Sequence, residues 1–470
     1  MANETPDAAG AIEIDELYIT LAGNVIIDLR EYFSDIKIYE NIFQHCLFVE
    51  MSISDSSNIL GRLDISGSST VTMKLRSPFL KDEEAYHKTF SIFGVSDRLL
   101  KDDRRQYFIL NLISIEGMKD LSTKFSQRFT GATEKMAQDL YEEFIQEKRI
   151  RDRDGNFTGK TALTILGSPH KSNNFAFTAT NWSAFECMEF IAKNIEPADV
   201  SGKLVMPNSL FFETRTGFIM GSLTELIVEQ KQRQLLYDEY NLLPAGYNEH
   251  LEGERKTLGN FKYTSPFVSP QYSTVLASSM KDYFNELHNQ QSGYYGSTTV
   301  GIDMITKQNY HMVFDYTSDE KGIRNKIPRS YDDFVHLSED NPIEAKPLFS
   351  PAAIMNVKIG ASNLYSDSDF GYNLNYFENL TYRNTAKAEL NRISMRIEVP
   401  GKTDMEVGSL IRFNFPSVGE KTKGMTREEL FDPKISGIWA VSGVLHNITP
   451  SEHKMTLNIV RDAYGDASVS

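Results

Sequence analysis

Gly155-Asn156-Phe157-Thr158-Gly159-Lys160-Thr161 has the ingredients of a phosphate-cradling loop, where glycine N–H groups and a lysine wrap an anion. That pattern needs its first glycine five residues before the second. Asp154 holds the place and Gly155 stands one residue too close, so an ordinary turn is expected. Asp152, Asp154, Gly155 and Asn156 resemble part of a calcium loop. The glycine falls at the wrong offset, and no glutamate closes the loop at its twelfth position. The nine histidines are scattered. His446 and His453 flank the last hairpin and could approach each other across it, but two imidazoles without a third ligand make a poor metal site, and both are expected at the surface. Cys46 and Cys187, the two cysteines, sit beside apolar residues and read as small buried hydrophobes. They cannot form a disulfide framework, and a reducing compartment is expected. No His-Glu-x-x-His helix and no Gly-x-Ser-x-Gly elbow occurs. The sequence thus nominates no catalytic, cofactor-binding or metal-ligating residue. It offers one candidate partner contact, the pair Tyr294-Tyr295 between Gly293 and Gly296, where exposed aromatics could anchor a partner or pack under their own loop.

Composition narrows the class. The 470 residues carry 49 Lys and Arg against 64 Asp and Glu, a net charge of −15. An acidic surface neutralises phosphates poorly, which disfavours sequence-specific nucleic-acid binding. The basic cluster Lys148, Arg149, Arg151 and Arg153 alternates with acids and reads as a solvated helix end. With 40% hydrophobic and 24% charged residues the chain is ordinary globular material, long enough for two to four domains. No apolar run approaches the ~18 residues of a membrane span, and Met1 to Glu16 lacks a signal-peptide pattern; neither feature is expected.

The elements that would position any site are mainly strands. From Ala11 to about Gly117 the hydrophobic period is two: Leu47, Val49, Met51 and Ile53, then Val71, Met73 and Leu75, then Phe90 and Ile92, with Tyr107 to Ile115 nearly continuous. Turn-forming clusters separate these runs, as in a small barrel or sandwich. The period then becomes helical over Ala132, Met136, Ala137, Leu140, Tyr141, Phe144 and Ile145, with Thr130 or Thr133 as cap. Ser183 and Glu186 form a capping box opening a second helix, and Phe175 to Thr180 reads as a strand between them. Leu210 to Met220 returns to strand character. Residues 231–390 are polar and poorly periodic, apart from a helix expected over Leu276, Met280, Tyr283, Phe284 and Leu287. Four strands follow: Ile393 to Val399, Ile411 to Phe415, Ile438 to Ile448 and Met455 to Val460.

Two stretches look alike. Phe90 to Ser114 runs strand, Gly94-Val95, turn, strand; Ile438 to Arg461 runs strand, Gly443-Val444, turn, strand. If duplicated, the chain carries two similar barrels. The fold class expected is α+β, mainly β, with a first barrel at 11–117, an α+β segment at 118–201, a second barrel from 202–230 and 391–463, and a polar insertion at 231–390. Gly94 should match Gly443, and the strand Tyr107–Ser114 should match Met455–Asp462.

The ending Ile438-Trp439-Ala440-Val441-Ser442-Gly443-Val444-Leu445-His446-Asn447-Ile448, with Met455 to Asp462, resembles the closing hairpin of phage tail hub proteins. So do Arg392 to Pro400 with Met405 to Ile411, and Asn181-Trp182-Ser183 with Phe211 to Phe218. The family is the central baseplate hub of contractile-tail phages, related in fold to the base of type VI secretion spikes, and the resemblance covers most of residues 11–463. It implies two tube-type β-barrels per chain and a homotrimeric ring. The ring would be a symmetry adaptor between the hexameric tail tube and the trimeric central spike, touching other baseplate proteins. DNA would pass through its lumen without specific binding, along a wall expected to be acidic or neutral. It further implies a virion tail location and assembly in the host cytoplasm, while the failure of every chemical motif above predicts no enzyme activity and no cofactor. The alternatives are a cell-wall-degrading hydrolase of the tail and a monomeric carbohydrate-binding β-protein.

Overall fold

Alternating apolar residues become strands when one face of each can be buried together with the others, and this happens at both ends of the chain. The computed structural model describes residues 9–21, 25–62, 65–102, 104–146, 161–166, 174–194, 209–222, 226, 238–242, 269–282, 296–303, 309–315, 354–360, 393–419 and 427–461. The first part forms β1 (Glu13–Thr20), β2 (Ile26–Asp28), β3 (Phe33–Asn41), β4 (Phe48–Asp55), β5 (Thr70–Arg76), β6 (Tyr86–Asp102) and β7 (Arg105–Ser114). The middle holds β8 (Lys124–Phe125), β9 (Arg128–Ala132), β10 (Ala162–Ile165), β11 (Asn174–Thr178), β12 (Trp182–Ser183), β13 (Ser209–Glu213) and β14 (Gly217–Ser222). Then come β15 (Asp238–Asn241), β16 (Ala277–Asp282), β17 (Gly296–Asp303), β18 (Asn309–Asp315) and β19 (Ile354–Gly360). The last strands are β20 (Ile393–Pro400), β21 (Leu410–Asn414), β22 (Gly437–Ile448) and β23 (His453–Arg461). The protein is mainly β, as expected.

The first and last groups share one 13-stranded sheet in the order β16-β20-β23-β22-β3-β4-β7-β6-β5-β1-β2, with β21 on β22 and β15 on β21. Within it a five-stranded ladder occurs twice. β3-β4-β7-β6-β5 and β16-β20-β23-β22-β21 have the same order, and every pair in both is antiparallel. The register matches through the first bulge of each central hairpin; β6 then carries two further bulges, after Ser96 and after Leu100, that β22 lacks. Gly94 faces Asn111 just after a bulge that follows Ile92; Gly443 faces Asn458 just after a bulge that follows Val441. Ser91 pairs with Thr70 and Ile113, and Ala440 pairs with Leu410 and Val460. Asn111 pairs onward with Glu50, and Asn458 with Arg396. A bulge shifts every subsequent side chain to the other face unless the partner compensates, so the shared position of the two bulges fixes the equivalence. The Gly94–Gly443 match holds. The partner strands align one residue away from the sequence expectation, Tyr107 matching Lys454 rather than Met455, because the turns differ in length. The sixth strands differ: β1 runs antiparallel to β5, whereas β15 runs parallel to β21.

Three cores result. One lies under the first ladder around Ile36, Val49, Met73, Phe90 and Leu112. Another lies under the second around Phe413, Trp439, Ile397 and Leu457. The cores interlock where β3 pairs with β22: Ile448 belongs to the first core and Ile42 to the second. The third core packs the helices Thr133–Leu140 and Ala184–Asn194 against Phe177, Phe211, Phe218 and Met220.

Several expectations change. The helix expected from Leu276 is a strand up to Asp282, because the unpaired edge of β20 takes Ala277–Asp282 into the sheet; Tyr283, Phe284 and Leu287 lie outside the described residues. The 202–230 stretch supplies β13 and β14, which pair with each other and with β10 rather than with the last strands. Two strands of the polar stretch 231–390, β15 and β16, join the main sheet instead. A helix at Ile115–Ser122, capped by the Ser114 hydroxyl, bridges the boundary placed at Gly117. Neither Thr130 nor Thr133 caps the next helix, whose N-cap is Ala132. The Ser183–Glu186 capping box is formed: Ser183 N–H donates to Glu186 at 2.7 Å and Glu186 N–H to Ser183 Oγ at 3.3 Å.

Candidate functional site

Strand alternation that buries one face of the sheet presents the other. Phe48, Glu50, Asn111, Arg396, Asn458 and Tyr39 lie on that second face, and with residues of β16 and β22 they line a groove of about 720 Å³ crossing the strands from β16 to Phe93 on β6. Its polar groups are tied to one another. Tyr39 donates to Glu50 at 3.0 Å, Asn111 to Ser96 at 2.9 Å, and Arg396 to Asn458 at 3.4 Å. Charges of both signs alternate along it: Glu50, Glu398 and Arg396 in the groove, and Lys37 beside Asp35 at 3.8 Å on β3. Such a surface neither concentrates nor strongly repels phosphate.

Among the described residues the short strand β2 has β1 as its single partner, and two longer edges of the sheet are open as well. β16 pairs only with β20. Beyond Ile92, β6 keeps its β7 partner but has no strand on the opposite side. Apolar side chains are exposed along that stretch: Phe93 by 53%, Val95 by 41%, Leu99 by 66% and Leu100 by 75%. Sequence reasoning passed over this edge. The available signal was Leu99-Leu100 between Arg98 and Lys101, two adjacent apolar side chains that a strand must send to opposite faces.

Beneath the junction of the two ladders, polar groups are buried. The turn between β13 and β14 brings Glu213 to Lys88 at 2.5 Å, both side chains nearly inaccessible. Glu213 also accepts from Leu47 N–H at 2.9 Å, and Lys88 donates to the Thr214 carbonyl at 3.1 Å. Arg215 pairs with Glu406 at 2.9 Å and donates to the Ala85 carbonyl at 3.2 Å. These contacts tie the middle segment to both ladders. Alongside them, His446 Nδ1 and His453 Nε2 lie 3.0 Å apart, sharing one proton between the rings, and His446 Nε2 lies 4.0 Å from Glu40. Burial, with the neighbouring Glu406 carboxylate, pushes Glu40 up to about 8. Burial and Arg215 hold His446 down to about 3, and burial with His446 holds His453 well below its ordinary value.

The two histidines therefore meet as the hairpin allowed, but in the interior, 1% and 0% exposed, which corrects the surface reading. The cause is β3, which covers the β22 side of the hairpin. Cys187 is buried as expected, whereas Cys46 is half-buried; desolvation pushes both thiols up to about 12, leaving them protonated and inert. No cluster of three or more metal-ligating side chains occurs among the described residues, and no helix there is long and apolar enough to cross a membrane. Tyr294, Tyr295, the Gly155–Lys160 stretch and the acids and bases around Asp152 lie outside the described residues.

No protein-family model matches the chain, and no curated protein is similar to it in sequence. Solved structures are similar. The 43 kDa tail protein of prophage MuSo2 from Shewanella oneidensis matches with a TM-score of 0.50 at 9% identity, over 96% of this chain and 99% of that one. The tail protein of Neisseria meningitidis MC58 matches with a TM-score of 0.49 at 9% identity, over 95% and 96%. A chain of the Francisella PdpA–VgrG complex matches at 0.45 and 9%, over 97% of this chain and 59% of that one. At such identity the MuSo2 match bears on the fold alone; because it runs nearly end to end in both chains, the fold of this protein is that of a prophage tail protein, the hub-type fold its sequence resembles.

Proposed function

We propose that the chain is a non-enzymatic structural hub of a contractile phage tail, in which three copies close a ring around an axial channel. The observation that carries this reading is the ladder repeated within one chain. A three-fold ring of chains that each present the same ladder twice offers six similar positions. That matches a hexameric tube on one side while keeping three-fold symmetry for a trimeric spike on the other. In this reading β1–β7 form one tube-type barrel, β20–β23 with β15 and β16 form the second, the helices Thr133–Leu140 and Ala184–Asn194 with their strands brace them, and the separate sheet β18-β17-β19 lies outside the ring against other baseplate proteins. The mixed-sign polar face lines the channel, so DNA slides along it without counterion-driven binding.

Native mass measurement with electron imaging tests the proposal. A trimer with an axial hole, formed alone or on adding the spike, is expected. A monomer that persists at high concentration with spike present overturns it, as does a ring lined by a continuous basic stripe.

A further inference from the structure

The repeat supplies a template for the open edge of β6. In the second ladder, the stretch Gly443–Ile448 of β22 has the same place as the β6 stretch beyond Gly94, and there it is covered: β3 pairs along it from Asn41 opposite Gly443 to Ile36 opposite Ile448. Ile42 N–H extends the contact, donating at 3.1 Å to the carbonyl of Ser442, the bulged residue that corresponds to Phe93. Counted through the partner strands, Val95 corresponds to Val444 and Leu100 to Ile448. Val444 and Ile448 are 2% and 1% exposed, against 41% and 75% for Val95 and Leu100. The apolar positions of β22 thus recur on β6 with one residue inserted at the bulge after Ser96, once under a strand and once, among the described residues, without one.

The ladder also identifies the missing strand. β3 is the outermost strand of the first ladder, and its counterpart in the second is β16, which itself has an unpaired side among the described residues. The two open edges stand at opposite ends of the run β16-β20-β23-β22-β3-β4-β7-β6. We infer that the β6 edge of one copy takes β16 of a second copy as an antiparallel strand, repeating between chains the β22–β3 contact made within each chain. This rests on the ring reading and specifies the contact that closes the ring. Main-chain pairing satisfies the N–H and C=O groups of both edges, which would otherwise invite indiscriminate association. Leu100 would enter the second core of the neighbour as Ile448 enters the first core of its own chain. Matching Lys37 to Ser279 through β4 and β20 and Asn447 to Leu99 through β23 and β7 sets the register: Asn447 pairs with Lys37 inside the chain, so Leu99 meets Ser279 of the second copy, and Leu100 meets Ser278.

Disulfide trapping tests the register. The full chain carrying Leu99→Cys and Ser279→Cys is oxidised and run without reductant, with the parent chain, which keeps Cys46 and Cys187, as background. Both replaced side chains are exposed, so folding is not at stake. A covalent trimer from the double variant is expected, and only a covalent dimer from a mixture of the two single variants. A pair two residues out of register, Leu99→Cys with Lys281→Cys, should trap at least tenfold less. A native trimer that gives no disulfide overturns the strand pairing and leaves the ring reading standing. A disulfide formed within one chain also overturns it. A chain that stays monomeric with spike present and gives no disulfide overturns both.

Discussion

Replacing Glu40 by glutamine isolates one titration in the buried acid–imidazole row beneath the ladder junction. Folded Glu40 is pushed up to about 8 from an ordinary 4.5, by burial first and by Glu406 next. An acid raised in this way contributes stability that is complete below its unfolded value and is lost as pH rises through its folded one. His446 and His453 run oppositely. Held neutral by burial, their contribution is complete above the ordinary 6.5 and lost as pH falls below it. Between 6.5 and about 8, then, only Glu40 of the three binds a proton in the folded chain and not in the unfolded one. That difference weakens the fold by about 1.4 kcal/mol per pH unit, or roughly 2 kcal/mol across the window. Glutamine copies the shape of the neutral acid and cannot ionise. Urea unfolding of both chains at intervals from pH 6.5 to 8 should give a parent stability that falls by that amount more than the Glu40→Gln stability does. All other titrating groups are shared, so they cancel in the difference. Parallel profiles would refute the reasoning, since they require Glu40 to ionise equally in folded and unfolded chains.

Ile448→Ala empties a site where the last hairpin enters the first core; a loss of about 2–5 kcal/mol is expected in denaturant titration, with the ladders separating into two transitions if the interlock is what couples them. Lys88→Met leaves Glu213 buried beside an apolar chain, and a cost of ~3–5 kcal/mol is expected; adding Glu213→Leu should recover part of it. Gly443→Ala places a Cβ 3.1 Å from Asn458 Nδ2 and 3.4 Å from the Glu40 carbonyl, so it should destabilise the isolated chain by about 1–3 kcal/mol. Gly94→Ala meets nothing nearer than Asn111 Nδ2 at 3.8 Å and should leave the melting of the isolated chain unchanged while weakening its assembly, because the neighbour's strand would supply the contact that Glu40 supplies to Gly443.

The sequence by itself determined where strands form at the two ends of the chain, because a period of two can bury one face only as extended backbone. Leu47 to Ile53, Val71 to Leu75 and Ile393 to Val399 needed nothing further. It also carried the match of Gly94 to Gly443, since each glycine stands beside a bulge that any copy of the ladder must keep, and the Ser183–Glu186 cap, which is a purely local exchange of hydrogen bonds. Tertiary structure decided what depends on a partner distant in the chain. Leu276 and Met280 have helical spacing, yet a strand edge at β20 was waiting, and main-chain pairing outweighed a marginal apolar stripe. His446 and His453 read as surface residues until β3, some four hundred positions earlier, covered their hairpin. The strands β13 and β14 carry apolar residues on both sides and could have joined either sheet; Ala162–Ile165 claimed them through β14. Openness is the least legible property of all. Val95 and Val444 are the same residue in the same motif, and Val444 is covered because β3 lies alongside its strand.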